Sequence, residues 1–319
     1  MDKRMRMKNA MDGQPVDRVP VSFWFHYQGE QAAGPAHVAA ELDFYRQTGV
    51  DFLKMMSDGF FNYPCNYPVS RAADWARITP LGSRHPQIRD QVERAKRIND
   101  ALQGDCCTFY NAFAPFSTIR HAAGDARVMS HLRENPAALM SALDAIAEDT
   151  CEMIRLLIGE AGCDGVFIPL QGGEVNRFTP EEYKTLISPS ETRLIETANR
   201  LSDYNIVHLC AWDGIRNQLP IWRDIPCKTV NWAVNIEGLS LGDGKRYFPQ
   251  RSVMGGFDNR RGSLLMTGSE SEIKAHTRQL VQEAGQTGVI LAADCSLPSD
   301  IDWQRIRWVV EELQAPTKP

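Results

Sequence analysis

Eight short, apolar, β-rich runs, most of them followed by a stretch of helical periodicity, constrain this chain more than any other feature. The runs are VPVSFWF (19–25), DFLKMM (51–56), CCTFYNA (106–112), DGVFIPL (164–170), IVHLC (206–210), KTVNWAV (228–234), SVMGGF (252–257) and GVILAAD (288–294). Helix-favouring stretches occupy 37–48, 87–103, 135–161, 180–202, 214–222, 269–286 and 302–314. Thr179, Pro180 and Glu182 form a start signal for the fourth of these, and Ser299 or Asp300 can cap the last. Strands that alternate with amphipathic helices build a parallel sheet, because each crossover helix covers a face of it. Eight such units in 319 residues predict an α/β fold of the (β/α)8 TIM-barrel type, one domain over residues 1–319. A doubly wound open sheet is the alternative. No glycine-rich phosphate loop follows the first strand, where that architecture holds a dinucleotide.

Charge and cysteine content narrow the class. A formal net charge of −5 argues against a nucleic-acid partner, which needs a basic face. The basic start MDKRMRMKNA is short and reads as the solvated beginning of a first helix. No run approaches the roughly 20 apolar residues that cross a bilayer, and no apolar leader is visible, so the expectation is a cytoplasmic protein without a membrane partner. In a reducing compartment the eight cysteines are core residues or ligands and not disulfides. Cys106, Cys107 and Cys163 lie in or beside strands and read as core; Cys65, Cys151 and Cys227 have no ligand-like neighbours.

In a barrel, chemistry collects at the C-terminal ends of the strands. His208 and Cys210 end the fifth expected strand, and their two-residue spacing puts both side chains on one face. Cys295 follows the eighth strand at an equivalent level. One imidazole and two thiolates suit Zn2+, and three protein ligands leave a fourth position open, as in a catalytic site. An open thiolate-rich zinc lowers the pKa of an incoming thiol and makes it a nucleophile at neutral pH, which points to alkyl transfer to sulfur. A chain with 7 His and 8 Cys also produces His-x-Cys by chance, so a plain pocket-wall reading stands beside the metal one. Other strand-end residues share the expected mouth. Glu174 follows two glycines after the fourth strand, His26 and Tyr27 follow the first, and Asn111 ends the third. Asp258 stands with Arg260 and Arg261 after the seventh, near the usual anion-binding corner of such barrels.

The segments DGQPVDRVPVSFWF, VDFLKMMSD, the His-x-Cys strand and CSLPSDIDWQRIRWVVE together resemble the uroporphyrinogen decarboxylase superfamily over nearly the whole chain. That resemblance implies a TIM barrel. In motif it is nearest the zinc-dependent methyltransferases that pass a methyl group between a corrinoid protein and a thiol such as coenzyme M. Their His-x-Cys and distant Cys correspond to His208, Cys210 and Cys295. It implies a methylcobalamin-type corrinoid carried by a partner protein, a small-molecule methyl acceptor and, as in related barrels, a homodimer. Related methionine synthases add a glutamate ligand on the sixth strand, where this chain has Asn231, with Glu237 several residues later. The decarboxylase branch is the alternative. Its Phe-Ser-Asp aspartate corresponds to Asp58, which with Glu174 is a candidate catalytic residue, but Phe25 and Gly29 stand where that branch has arginines for its carboxylate-rich substrate. A non-catalytic corrinoid or tetrapyrrole binder is the remaining reading.

Overall fold

The computed structural model describes residues 1–315; the last four residues of the expected domain lie outside the described residues. Seven strands form one parallel sheet: β1 (Phe52–Met55), β2 (Cys107–Asn111), β3 (Gly165–Leu170), β4 (Ile206–Leu209), β5 (Thr229–Trp232), β6 (Ser252–Phe257) and β7 (Val289–Ala293). Each pairs with the next in chain order. This order excludes the doubly wound alternative, in which the strand order reverses partway across the sheet. Every strand residue is buried, as expected of a parallel sheet covered on both faces. The architecture is α/β and TIM-barrel-like.

The first expected strand departs from prediction. Residues 19–25 meet β7 and the segment after it only at the isolated bridges Val21 to Leu291 and Phe25 to Leu297. Pro20 accepts from the Leu291 N–H, and Val21 accepts from the Asp51 N–H, so the segment touches both ends of the sheet. Proline has no N–H to continue a ladder, which helps limit the pairing to single contacts.

The helices largely follow the sequence signals. The longest, Pro136–Gly159, begins with Asn135 accepting from the Ala138 N–H and buries Leu139, Leu143, Ile146 and Ile154. The capping box at Thr179 and Glu182 is present. The last helix, Trp303–Gln314, is capped by Asp302 instead of Ser299 or Asp300. Residues 214–222 are not a helix but two short turns, Trp212–Gly214 and Leu219–Trp222. Gly214 at φ 72° and Pro220 explain the break. Helices Pro115–Ala123 and Asp125–Glu134 are additions to the predicted set.

The basic N-terminus begins a first helix, as expected, but the helix is not a solvated one. Helix Lys3–Met11 buries Arg6, Met7, Ala10 and Met11. Arg6 and Arg18 both grip the fully buried Asp51 just before β1, at 2.8 and 2.7 Å, and Arg4 grips Asp164 just before β3. These ion pairs sit at the N-terminal ends of the strands, the end of such folds associated with stability and not chemistry.

A buried polar chain braces the opposite end. The helical span expected over 180–202 contains a π-helical segment, Tyr183–Ile187. From it the Tyr183 hydroxyl donates to Glu191 and accepts from Trp222 Nε1. Trp222 packs so tightly on Gly173 that a Cβ there would lie 2.1 Å from the indole, so only glycine fits in this loop after β3. Burial pushes the Glu191 carboxyl up to about 8 from 4.5. The folded chain therefore holds a proton that the unfolded chain has released, and stability falls as pH rises through that window. Glu191→Gln keeps an acceptor for Tyr183 but cannot ionise. It is expected to flatten the loss of stability between pH 5 and 8 and to melt several degrees above wild type at pH 8. Thermal melts across that range check this; an unchanged slope refutes it.

Candidate metal centre

His208 lies in β4 and Cys210 just beyond its end, where the two-residue period turns both side chains inward. Cys295 lies two residues past the end of β7. The fold brings these three together: one ligand atom from each lies within 4.8 Å of the others. His208 is stacked on Phe167, ring centroids 5.5 Å apart, and neither of its buried ring nitrogens has a hydrogen-bond partner among the described residues. A neutral imidazole carries one donor and one acceptor, and leaving buried polar groups unpaired costs about 1–3 kcal/mol each. The donor set therefore fits a metal ion: a soft pair of sulfurs and an orphaned imidazole, converging at a spacing that one ion with bonds of about 2.0–2.3 Å can draw together. The thiols are electrostatically distinct. Cys295 is held well below the usual thiol value by the neighbouring Cys210 and His208, while Cys210 is pushed up by Cys295 and burial.

The cluster lies in a cavity of about 320 Å³. Of the predicted substrate contacts, His26 and Asn111 line it. Asn111 is anchored by donating to Ser57 Oγ at 2.8 Å. Tyr27, Asp58, Glu174 and Asp258 do not line it. Tyr27 is buried against Phe25 and His37. The Asp58 carboxylate is taken up by His26 Nδ1 at 2.7 Å and by the Tyr27 N–H at 2.8 Å. Glu174 is fully buried and paired with Arg120 at 2.7 Å, and Asp258 is paired with Arg260, whose side chain does reach the cavity. Neither sixth-strand substitute is a ligand: Glu237 accepts from Asn217, and Asn231 donates to the Met254 carbonyl. Among the described residues no fourth His, Cys, Asp or Glu joins the cluster.

Two cavity residues escape the sequence reading. Lys54, on β1, is buried with Nζ 4.5 Å from the Phe167 ring centroid, 5.1 Å from that of Trp24 and 3.2 Å from Met56 Sδ. Burial pulls its ammonium down to about 8 against the opposing charges of Cys295 and Asp58. Its only signal is a lysine inside an apolar strand run. Since a buried ammonium without a carboxylate partner is costly, Lys54→Met is expected to melt at or above the wild-type temperature; a clear drop in thermal melts contradicts that. The second residue, His121, packs on Phe61, Phe113 and Trp212, and burial lowers its pKa to about 4. It sits near the end of the helix Pro115–Ala123 and not at a strand end.

Comparison with solved structures shows the same fold elsewhere. A methyltransferase from Methanosarcina mazei aligns over 98% of this chain and 98% of its own, with TM-score 0.75 and 16% identity. A B12-independent methionine synthase from Shewanella sp. W3-18-1, in complex with selenomethionine, aligns over 94% of both chains with TM-score 0.54 and 13% identity. No curated protein sequence matches the chain. The family model described as uroporphyrinogen decarboxylase (URO-D) matches residues 63–315, most of the chain. The chain therefore belongs to the uroporphyrinogen decarboxylase family.

Proposed function

We propose that this protein is a cytoplasmic zinc-dependent methyltransferase that moves a methyl group from a corrinoid partner protein to a thiol. The observation that carries the reading is the convergence of His208, Cys210 and Cys295, with both nitrogens of a buried imidazole unpartnered. Zinc in such a site supplies a Lewis acid that lowers the pKa of a thiol and leaves its sulfur nucleophilic at neutral pH. The chain's own residues would shape the acceptor's place: Trp24, Phe113 and Trp212 give apolar walls, and Asn111 and Lys54 add a polar and a cationic contact. In this reading residues 19–25 stand as the eighth strand of one closed barrel domain, and the corrinoid protein docks at the cavity mouth. Homodimerisation belongs to the same proposal.

A decarboxylase reading is favoured by the family match and by Ser57–Asp58. Three observations weigh against it. Asp58 already spends both carboxylate oxygens on His26 and Tyr27. The cavity offers a carboxylate-rich tetrapyrrole only Lys54 and Arg260 as cationic side chains other than histidine among the described residues. Its volume of about 320 Å³ is at the small end of the roughly 300–1,000 Å³ typical of ligand pockets.

One experiment separates the readings. Protein purified without chelator is analysed for metal and assayed for transfer from methylcobalamin to a small thiol, with uroporphyrinogen decarboxylation run in parallel. About one zinc per chain together with thioether formation is expected. Metal-free, well-folded protein that releases carboxyl groups from the tetrapyrrole rejects the methyltransferase.

A further inference from the structure

The imidazole of His26 lines both the cavity that holds the cysteine–histidine cluster and a neighbouring open groove with Arg260, Arg261 and Ser296. It is about two-fifths exposed, while its partner Asp58 is almost fully buried. Asp58 Oδ1 lies 2.7 Å from His26 Nδ1, and Oδ2 accepts from the Tyr27 N–H at 2.8 Å. A carboxylate only accepts, so Nδ1 carries the hydrogen and the lone pair of a neutral ring is on Nε2. That nitrogen has no hydrogen-bond partner among the described residues. Asp58 does not line the cavity, so Nε2 is the ring nitrogen left free for a molecule bound there. A carboxylate-oriented imidazole with a free nitrogen on a ligand cavity is the arrangement of a general base.

We propose that His26 is the base that takes the proton of the incoming thiol, with Asp58 as its positioning residue. The inference rests on the methyl-transfer reading. The acceptor's S–H bond breaks, its electron pair stays on sulfur, and the proton forms an N–H bond at Nε2. That sulfur pair then forms the bond to the methyl carbon, while the corrinoid donor keeps the pair of its broken cobalt–carbon bond. The imidazolium, stabilised by Asp58, returns its proton to solvent through the groove. The other charged or titratable groups lining the cavity are His121, which burial keeps neutral, Lys54, Arg260, Asp213 and the ligand cluster.

Asp58→Asn tests the orientation. The Tyr27 N–H still needs an acceptor, so the amide oxygen stays with it and the amide N–H2 faces His26. Nδ1 must then accept, and the hydrogen moves to Nε2. Spectra of protein labelled with 15N-histidine are expected to show the Nδ1–H tautomer for His26 in the wild type and the Nε2–H tautomer in Asp58→Asn. Both Asp58→Asn and His26→Gln are expected to lower kcat for methylcobalamin-to-thiol transfer by about 10²–10⁴-fold, with KM for the thiol little changed. His26→Gln also loses the acid limb of the pH–rate profile. An Nε2–H tautomer in the wild type overturns the proposal whether or not methyl is transferred. So does a His26→Gln protein that turns over like the wild type. A wild type holding no metal and transferring no methyl fails earlier, at the function itself, and removes the thiol proton from consideration.

Discussion

Cys295→Ala protein is expected to retain less than about a tenth of the zinc of wild type after purification without chelator, and to transfer methyl at least about 10³-fold more slowly. The reason lies in the donor count. With three candidate donors within 4.8 Å, removing one would leave the two contributed by β4 and its end, too few to compete with solvent and buffer for an ion. Cys210→Ser and His208→Ala should behave alike, because each deletes one of the same three. Cys163→Ala is the control: it is a buried cysteine outside the cluster whose thiol burial pushes up to about 12, and it should keep its metal. Elemental analysis beside circular dichroism separates metal loss from unfolding. Full zinc content in Cys295→Ala would rule out the proposed centre at His208, Cys210 and Cys295.

Arg120→Ala is expected to lower stability by about 3–5 kcal/mol, a drop in melting temperature on the order of 10 °C. Arg120 is fully buried, 2.7 Å from the equally buried Glu174 and 2.7 Å from Asp125, with its guanidinium 4.4 Å from the Trp212 ring centroid. Removing it strands the Glu174 carboxylate without its close partner, since Arg177 is 3.7 Å away. An uncompensated buried charge costs far more than the ion pair contributes. The double variant Arg120→Met, Glu174→Met should therefore recover much of the loss. Thermal and urea unfolding of the three proteins check this. Equal destabilisation in the single and double variants would show that packing of the guanidinium, and not the orphaned charge, is responsible. The same geometry limits what Glu174 can do in chemistry. It braces the loop after β3 from behind the cavity and does not enter it.

Much of the fold was legible because its signals are local. Seven of the eight expected strands are realised, each an apolar run long enough to be buried on both faces. The exception, 19–25, contains Pro20, and a run's hydrophobicity does not report how many of its backbone groups find partners. Residues 214–222 looked helical by composition, but Gly214 and Pro220 decided otherwise. The N-terminal basic cluster looked solvated because its partners Asp51 and Asp164 lie far along the chain.

The candidate site divides along the same line. The pairing of His208 with Cys210 follows from the two-residue period of a strand, which is a local property. The place of Cys295 beside them follows from chain order, because consecutive parallel strands deliver their C-terminal ends to one rim. The sequence by itself therefore determined the fold class and the three converging donors. Only the tertiary structure decided that Lys54 faces the cavity while Glu174 is buried behind it, and that Asp58 holds His26 instead of meeting a ligand. A carboxylate or an ammonium has the same identity in every environment; its chemistry is set by burial and by the partner within about 3 Å, and those partners come from distant segments.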